Sequence, residues 1–361
     1  MSGHEILIAL MALFAVLGAG DKILGNRFGL GKEFEEGILA MGSLALAMAG
    51  VITLAPVLAA ILKPVVVPIY GFLGADPAMF AGTILACDMG GGSLAMELTE
   101  NTQAALLGGV ITGSMLGATV VFTIPIAMGI LKEEDRPAMA KGILCGIVTI
   151  PIGVLVGGLV AGFEPMLVLR NLIPIVIIAG LIVLGLWKAE HAMVRGFAAF
   201  GKGVVVLVTV GLAAAIAEEL TGFALIPGMA PISDAFETVG TIAIVLAGAF
   251  PLVAILTRLL RKPLEKLGSL LGINDAAAAG LIASLANSIA TFGLVKDMNP
   301  RGKVVNIAFA VSAAFVFGDH LGYTAGFAPE LLPAMIAGKL AGGVSAAGLA
   351  LWLTRKEEKP L

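Results

Sequence analysis

Residues 78–97 have the sequence AMFAGTILACDMGGGSLAME, an apolar run that Asp88 and three consecutive glycines interrupt in its middle. A carboxylate at membrane depth is costly unless it is paired, and consecutive glycines leave the backbone free to turn. A second apolar run, residues 275–295, is interrupted in the same way by Asn287 and Ser288. The two interruptions predict two helical hairpins that enter a membrane and return to the side they came from.

The composition of the whole chain agrees with a membrane environment. Of its 361 residues, 59% are hydrophobic and 13% are charged, whereas an average soluble domain has about 25% charged residues. This composition excludes a soluble enzyme, a disordered regulator and a nucleic-acid-binding protein. Cys87 and Cys145 both lie in apolar runs, so the sequence predicts neither a disulfide framework nor a Cys/His metal site.

Nine other apolar runs are long enough to cross ~30 Å of hydrocarbon. They cover residues 5–21, 38–62, 103–131, 138–162, 168–187, 203–220, 239–258, 304–327 and 331–353. If both interrupted runs are re-entrant, all Lys and Arg residues lie on one side of the membrane except Lys63, Arg170 and Lys339. If the two interrupted runs crossed as well, giving eleven crossings, the basic residues would be spread evenly over both sides. Because cytoplasmic loops carry the excess of basic residues, we predict an all-α polytopic membrane protein with nine crossing helices and two re-entrant hairpins. Its N-terminus is predicted outside and its C-terminus in the cytoplasm.

The interrupted runs belong to an internal repeat. Ala81-Gly82 recurs as Ala279-Gly280, and Pro137-Ala138-Met139 recurs as Pro333-Ala334-Met335. The predicted units are repeat 1 (1–162, four crossings and hairpin 77–97), a connector with one crossing (163–202), and repeat 2 (203–361, four crossings, hairpin 275–295 and a short cytoplasmic tail). An odd number of crossings separates the repeats, so the second is predicted to be inverted. Such pairs are typical of secondary transporters, whose substrate site lies where the broken tips meet, although glycine-rich breaks could also be packing positions.

The two predicted tips carry different chemistry. Asp88 could be the counter-ion of a cationic substrate, a proton or sodium site, or a cap of the second half-helix. Asn287, Ser288 and Thr291 take the matching place in the second hairpin. They are neutral hydrogen-bonding groups, which could bind a hydroxyl or an amine or could cap a broken helix.

A second carboxylate, Asp319, lies within the predicted crossing 304–327. In a continuous helix Phe315, Asp319 and Tyr323 share one face with Ser312, which predicts an aromatic ring one turn above and one turn below the carboxylate. Rings and a carboxylate suit a small organic ammonium ion. The equivalent face of the third crossing ends in Thr123 and is polar but uncharged.

Two further ionisable residues are candidates for ion coupling or for a counter-charge. His320 could relay a proton or fix the carboxylate of Asp319, or it could be a structural histidine. Lys339, deep in the last predicted crossing, could pair with Asp319 or Asp88, or extend its ammonium group toward the membrane surface.

Other classes of membrane protein fit less well. An intramembrane aspartyl protease also uses two membrane carboxylates, but Asp88 lies in a Cys-Asp-Met sequence rather than beside a tyrosine. The histidines His4, His191 and His320 have no HExxH or HxxxH spacing, so a metal-dependent hydrolase is not expected. The sequence therefore predicts no catalytic residue, no metal and no cofactor. A passive channel stays open, since half-helices in inverted repeats also build pores.

Several sequence strings resemble one known family. They are Phe34-Glu35-Glu36-Gly37, the string 79–91 around Asp88, Gly146–Gly153, Arg301-Gly302-Lys303-Val304, Phe309–Phe315 and Gly318-Asp319-His320-Leu321-Gly322. Together they closely resemble EutH, the ethanolamine permease family encoded with bacterial ethanolamine-utilisation enzymes, over nearly the whole chain. The resemblance implies uptake of ethanolamine, as the protonated ethanolammonium ion, through the bacterial cytoplasmic (inner) membrane, to supply an intracellular ammonia-lyase.

The predicted binding site rests on the residues rather than on the resemblance. Asp88 and Asp319 are the predicted ammonium acceptors, and Phe315 and Tyr323 the cation–π walls. The predicted hydrogen-bonding partners are Asn287, Ser288, Thr291 and Thr123. The expected partners are ethanolamine, the lipid bilayer, a possible coupling H⁺ or Na⁺, and further copies of the chain in a homo-oligomer, with no nucleic acid. A channel-like facilitator, or an H⁺- or Na⁺-coupled carrier of another small organic cation or an amino acid, is the alternative.

Overall fold

The computed structural model describes residues 3–356, apart from the side chains at positions 190, 260, 261, 264, 265, 267, 269 and 356. Every regular element in that part of the chain is helical. Eight helical segments are long and apolar enough to cross a membrane: Gly3–Ile23, Leu30–Phe72, Thr102–Ile130, Glu133–Val160, Pro165–Ala189, His191–Thr221, Ile232–Leu259 and Pro329–Leu353. The protein is therefore an all-helical polytopic membrane protein. Residues 357–361 of the predicted cytoplasmic tail lie outside the described residues.

Fifteen α-helices occur along the described chain. They are α1 Gly3–Ile23, α2 Leu30–Leu44, α3 Gly50–Phe72, α4 Ala78–Ile84, α5 Gly91–Leu98, α6 Thr102–Leu106, α7 Ile124–Ile130, α8 Arg136–Val160, α9 Pro165–Thr221, α10 Ile232–Leu271, α11 Asp275–Ala286, α12 Ser288–Leu294, α13 Pro300–Ala313, α14 Asp319–Phe327 and α15 Leu332–Leu353. A π-helical turn, Ala45–Ala49, joins α2 to α3. Two π-helical segments, Leu107–Gly117 and Thr119–Thr123, join α6 to α7.

Both interrupted runs form helical hairpins. In the second hairpin, α11–α12, the Thr291 hydroxyl donates to the carbonyl of Gly280 at 3.0 Å and lies 2.8 Å from the Ser284 hydroxyl. Residues this far apart in sequence meet only if the chain reverses between them, because a helix rises 1.5 Å per residue. In the first hairpin, α4 packs on α5 around a short turn, Cys87–Met89. The four halves contain 7 to 12 residues, fewer than the roughly 20 that a crossing needs.

The predicted continuous helix across residues 304–327 is wrong. Helix α13 ends at Ala313 and α14 begins at Asp319, and Phe315 between them has a φ of 65°. The face that was predicted to align Ser312, Phe315, Asp319 and Tyr323 therefore does not exist.

The cause of this break lies in the second hairpin. The backbone N–H groups of Phe315 and Phe317 donate to the carbonyl oxygens of Ser284 and Leu285 at 3.1 and 2.8 Å. These carbonyls lie in the last turn of α11, where no helical partner follows them. The segment between α13 and α14 thus replaces helical hydrogen bonds with bonds to the tip of the second hairpin. These bonds satisfy both the N–H groups of the segment and the carbonyl groups at the end of α11.

Several helices are longer than the apolar runs predicted. Helix α3 continues to Phe72, so Lys63 lies within a helix rather than in a loop. Helix α10 continues through Lys262 and Pro263 to Leu271. The predicted loop 188–202 is helical except for a bend at Ala189 (φ −146°, ψ 48°) that divides α9 into two arms. The predicted runs ended at or before charged residues and prolines, such as Lys63-Pro64 and Lys262-Pro263, but both helices continue through these residues.

The seam that positions the site lies between α8 and α15, the helices that begin at the two Pro-Ala-Met strings. A Cβ added at Gly153 would lie 2.7 Å from the carbonyl oxygen of Gly338, and one added at Gly338 would lie 2.7 Å from that of Gly153. The hydroxyl of Thr149 also donates to the carbonyl of Gly342 at 3.1 Å. This close approach of backbones places Lys339, on α15, next to the π-helical segment that contains Ser114.

Candidate functional site

A cavity of about 770 Å³ lies between the tip of the first hairpin, the broken segment before α14, α2, α7 and the second arm of α9. Most of its wall is apolar. Its polar or charged lining residues are Ser43, Asp88, Lys202, Asp319 and His320. Four of the predicted site residues, Asp88, Phe315, Asp319 and His320, therefore line one cavity to which both halves of the chain contribute.

Local backbone geometry explains why Asp88 reaches the cavity. Leu85 and Ala86 are extended, and the chain then turns through Cys87–Met89 into Gly90, whose φ is 87°. A Cβ at Gly90 would lie 1.9 Å from a methyl group of Val51, so this position needs glycine both for its conformation and for space. The turn lies beside the start of α14, where Asp319 is the first residue.

A chain of polar contacts leads from the cavity into the protein. The Nε2 atom of His320 lies 3.6 Å from Asp88 Oδ1, and its Nδ1 atom lies 3.0 Å from the ammonium nitrogen of Lys339. Lys339 also donates to the backbone carbonyl of Ser114. Lys339 is 1% exposed and His320 is 2% exposed. Because the ammonium group can only donate, Nδ1 of His320 accepts, and the ring presents an Nε2–H to Asp88.

Two aromatic rings line the cavity beside the carboxylates. Phe315 packs edge-on against Phe122 with ring centroids 5.5 Å apart, and its centroid lies 5.2 Å from that of His320. Tyr323 lies elsewhere: it stacks on Phe327 with ring centroids 5.1 Å apart, and its hydroxyl lies 2.0 Å from the position that a Cβ on Gly92 would take. Of the two predicted aromatic walls, the structure therefore places Phe315 in this cavity and Tyr323 against the first hairpin.

The predicted hydrogen-bonding residues do not line this cavity. The side chain of Asn287 accepts from the backbone N–H of Ile289 at 2.7 Å and caps α12, and Thr291 bonds within the second hairpin. Ser288 is fully buried, and its hydroxyl has no hydrogen-bond partner among the described residues. Thr123 is also buried, at the start of α7, against which α12 packs.

Sequence reasoning missed Ser43, Phe122, Lys202 and the carbonyl of Ser114. Ser43 and Lys202 lie in segments that were predicted to be ordinary crossing or loop positions, and no spacing in the sequence connects them with Asp88. Phe122 could have been found, because it immediately precedes Thr123 on the helix that corresponds to the Phe315 segment in the repeat. Ser114 acts through its backbone, which leaves no signal in the side-chain pattern.

Cys87, Asp88 and His320 offer three possible metal-ligand atoms within 4.8 Å of one another. The ammonium group of Lys339 lies on the far nitrogen of the same imidazole. A cation between these three side chains would therefore lie close to a buried positive charge, which Coulomb repulsion opposes. The absence of a metal site stays a prediction.

Comparison with known proteins identifies the family. Residues 4–353 match the family model described as "Ethanolamine utilisation protein, EutH". The chain is 59% identical over 359 residues to "Probable ethanolamine permease EutH" of Listeria monocytogenes serotype 1/2a (strain 10403S), covering 99% of this chain and 96% of that relative. It is 48% identical over 396 aligned positions to the protein of the same name in Salmonella typhimurium, covering 99% and 97%.

A relative in Bacillus subtilis, "Uncharacterized protein YxeR", is 51% identical over 354 residues, covering 98% of this chain and 96% of the relative. No solved structure matches this chain. The family match and the relatives both extend over almost all of the sequence, including both hairpins, the broken segment and the cavity. This chain belongs to the EutH family.

Proposed function

We propose that this protein carries ethanolamine into the cell across the bacterial cytoplasmic membrane, and that it is a transporter rather than an enzyme. The observation that carries the proposal is one cavity with two carboxylates, Asp88 and Asp319, in a member of a family whose relatives are named ethanolamine permeases. The substrate form is the ethanolammonium ion. An ion of this kind crosses lipid poorly because leaving water is costly.

The cavity offers the groups that an ammonium ion needs once it loses its water. Carboxylate oxygens accept charge-assisted hydrogen bonds from N–H groups. The faces of Phe315 and Phe122 supply a second, weaker attraction for the cation. Ser43 offers a hydroxyl at the same wall. The other predicted hydrogen-bonding residues do not line the cavity in this conformation, so their contacts with the substrate are proposed for a different state of the transport cycle. They are Asn287, Ser288, Thr291 and Thr123.

The membrane arrangement is part of the proposal. We place nine crossings in the membrane by counting α13 and α14 together as one broken crossing, with both hairpins re-entrant and the two repeats inverted. The distribution of Lys and Arg supports a cytoplasmic C-terminus. Labelling with a membrane-impermeant maleimide tests this: Glu100→Cys should react in intact cells, and Lys132→Cys only after permeabilisation. Cys87 and Cys145 are buried, so they give little background.

The function is tested by uptake of labelled ethanolamine into liposomes that contain the purified full chain, at pH 6, with and without a proton or sodium gradient. We expect saturable uptake that choline and larger amines compete for weakly. Liposomes with the Asp88→Asn/Asp319→Asn variant are the matched control. Gradient dependence would identify H⁺ or Na⁺ as the coupling ion. Flux that never saturates would indicate a channel, and no protein-dependent uptake would reject the proposed function. Cross-linking in the same liposomes tests the proposed homo-oligomer.

A further inference from the structure

The site contains one buried positive charge that the binding of a cation does not obviously require. Lys339 is 1% exposed, and a lysine at such depth is expensive unless nearby groups stabilise it. Its ammonium group contacts the Ser114 carbonyl and His320 Nδ1, which are both uncharged acceptors. The nearest acid along this chain of contacts is Asp88, beyond the imidazole of His320.

Counting the charges around the cavity gives Lys339 a specific consequence. Asp88 and Asp319 contribute two negative charges when ionised. His320 is neutral in this arrangement, because its Nδ1 accepts from Lys339 and a doubly protonated ring has no free acceptor. Cys87 and Tyr323, the other titratable groups at the turn and on α14, are uncharged as thiol and phenol. With both carboxyl groups ionised and the ammonium of Lys339 included, the site has a net charge of minus one.

Lys202 does not alter this count in the same way. It also lines the cavity, but it is an exposed residue, so water and salt screen its charge. Lys339 is buried, so water and salt screen its charge less than that of Lys202. A net charge of minus one is neutralised by a single monovalent ammonium ion, while a divalent ion would leave an uncompensated positive charge in a mostly apolar cavity.

We propose that Lys339 is a specificity-determining residue that makes this site accept organic monocations and reject dications of the same size. This inference rests on the proposed function and adds the charge class of the substrate. Ethylenediamine is the matching probe: it replaces the hydroxyl of ethanolamine with a second amine and is mostly a dication at pH 6.

The experiment measures how strongly unlabelled ethylenediamine, relative to unlabelled ethanolamine, inhibits the uptake of labelled ethanolamine by the full chain in liposomes. In wild type we expect ethylenediamine to inhibit at least about tenfold less strongly, as one uncompensated charge at ~1.4 kcal/mol or more predicts. In Lys339→Met the site has a net charge of minus two. Relative to ethanolamine, ethylenediamine should then inhibit uptake at least about tenfold more strongly than it does in wild type. Lys188→Met, which removes an exposed lysine outside the cavity, should leave the ratio unchanged.

A charge rescue separates this effect from damage to the fold. Asp88→Asn brings the net charge to zero and should weaken ethanolamine uptake, whereas Asp88→Asn/Lys339→Met returns it to minus one and should regain uptake and the preference for the monocation. This comparison also holds if Lys339→Met alone gives no folded protein. An unchanged ratio in folded Lys339→Met, or a double variant no better than Asp88→Asn, would overturn the proposal. Absence of uptake by wild type would instead overturn the proposed function.

Discussion

The backbone N–H of Phe315 donates to the carbonyl oxygen of Ser284 at 3.1 Å, and this bond joins the broken segment between α13 and α14 to the second hairpin. On the other side of the same segment, α14 lies against the turn of the first hairpin. The break therefore lies between the two hairpins and connects them. Asp319 and His320 follow this segment directly, as the first two residues of α14.

Gly318→Ala is expected to disturb this connection. A Cβ at Gly318 would lie 2.2 Å from the carbonyl oxygen of Ala286, so the segment and the hairpin tip must separate. We expect a loss of about 1–3 kcal/mol of stability, the usual cost of overpacking, together with reduced ethanolamine uptake. Thermal unfolding of the detergent-solubilised protein measures the first effect, and liposome uptake measures the second.

Gly293→Ala is the matched control, because Gly293 lies in the second hairpin, which Gly318 contacts, and a Cβ there meets no atom within 4 Å. It should unfold at or slightly above the wild-type temperature, since alanine favours helix over glycine. Equal behaviour of the two variants would show that the contact between Gly318 and Ala286 is not tight.

The first hairpin and the broken segment differ in how far sequence could predict them. Asp88 and the glycines after it interrupt an apolar run, and this composition alone marks a turn. The run from Ala313 to Phe317 is apolar and has no helix-breaking residue, so its local pattern favours a continuous helix. Only the carbonyls of Ser284 and Leu285, some thirty residues earlier in the sequence, favour the break, and such tertiary bonds leave no periodic signal.

The same reasoning explains which parts of the site were found. Carboxylates are rare within long apolar runs, so Asp88 and Asp319 could be identified one by one from the sequence. Which of them His320 faces could not be known, because this depends on how the break orients the start of α14. Adjacency in sequence suggested a contact with Asp319, whereas the imidazole lies toward Asp88.

Asp135→Asn is expected to destabilise the protein through Lys303. These two residues form an ion pair between the start of α8 and α13, and their side chains are 3% and 19% exposed. Removing the carboxylate of Asp135 leaves the mostly buried charge of Lys303 without its partner. We expect this to lower the free energy of unfolding by about 3 kcal/mol, the lower end of the range for buried ion pairs. Asp135 makes no side-chain cap on α8, so the effect should come from the ion pair. Unfolding in denaturant measures it.

Two comparisons make this prediction specific. Asp135→Leu/Lys303→Met removes both charges and should regain most of the lost stability. Glu35→Gln breaks the ion pair between Lys22 and Glu35, whose side chains are about half exposed, and should have little measurable effect. A loss in Glu35→Gln as large as that in Asp135→Asn would contradict an explanation based on burial.

Asp319→Asn is expected to reduce ethanolamine uptake to near background while the protein still folds. The variant keeps the size of the side chain but replaces a charge-assisted acceptor, a difference of roughly 1.5–3 kcal/mol, which corresponds to about 10- to 100-fold in affinity. Asp234→Asn, at an exposed position in the first turn of α10, should transport normally. Wild-type flux in Asp319→Asn would remove this carboxylate from the proposed site.

Ethanolamine is expected to protect a cysteine placed in the cavity. Ser43 is an exposed residue that lines the cavity, so Ser43→Cys should react with a small thiol reagent at a rate that falls as ethanolamine is added. Because bound substrate excludes the reagent only while it occupies the cavity, the half-effect should occur at the concentration that half-saturates uptake. Lys188→Cys, exposed but outside the cavity, should react at a rate that ethanolamine does not change. Protection of neither position, in liposomes that take up ethanolamine, would place the binding site elsewhere in the fold.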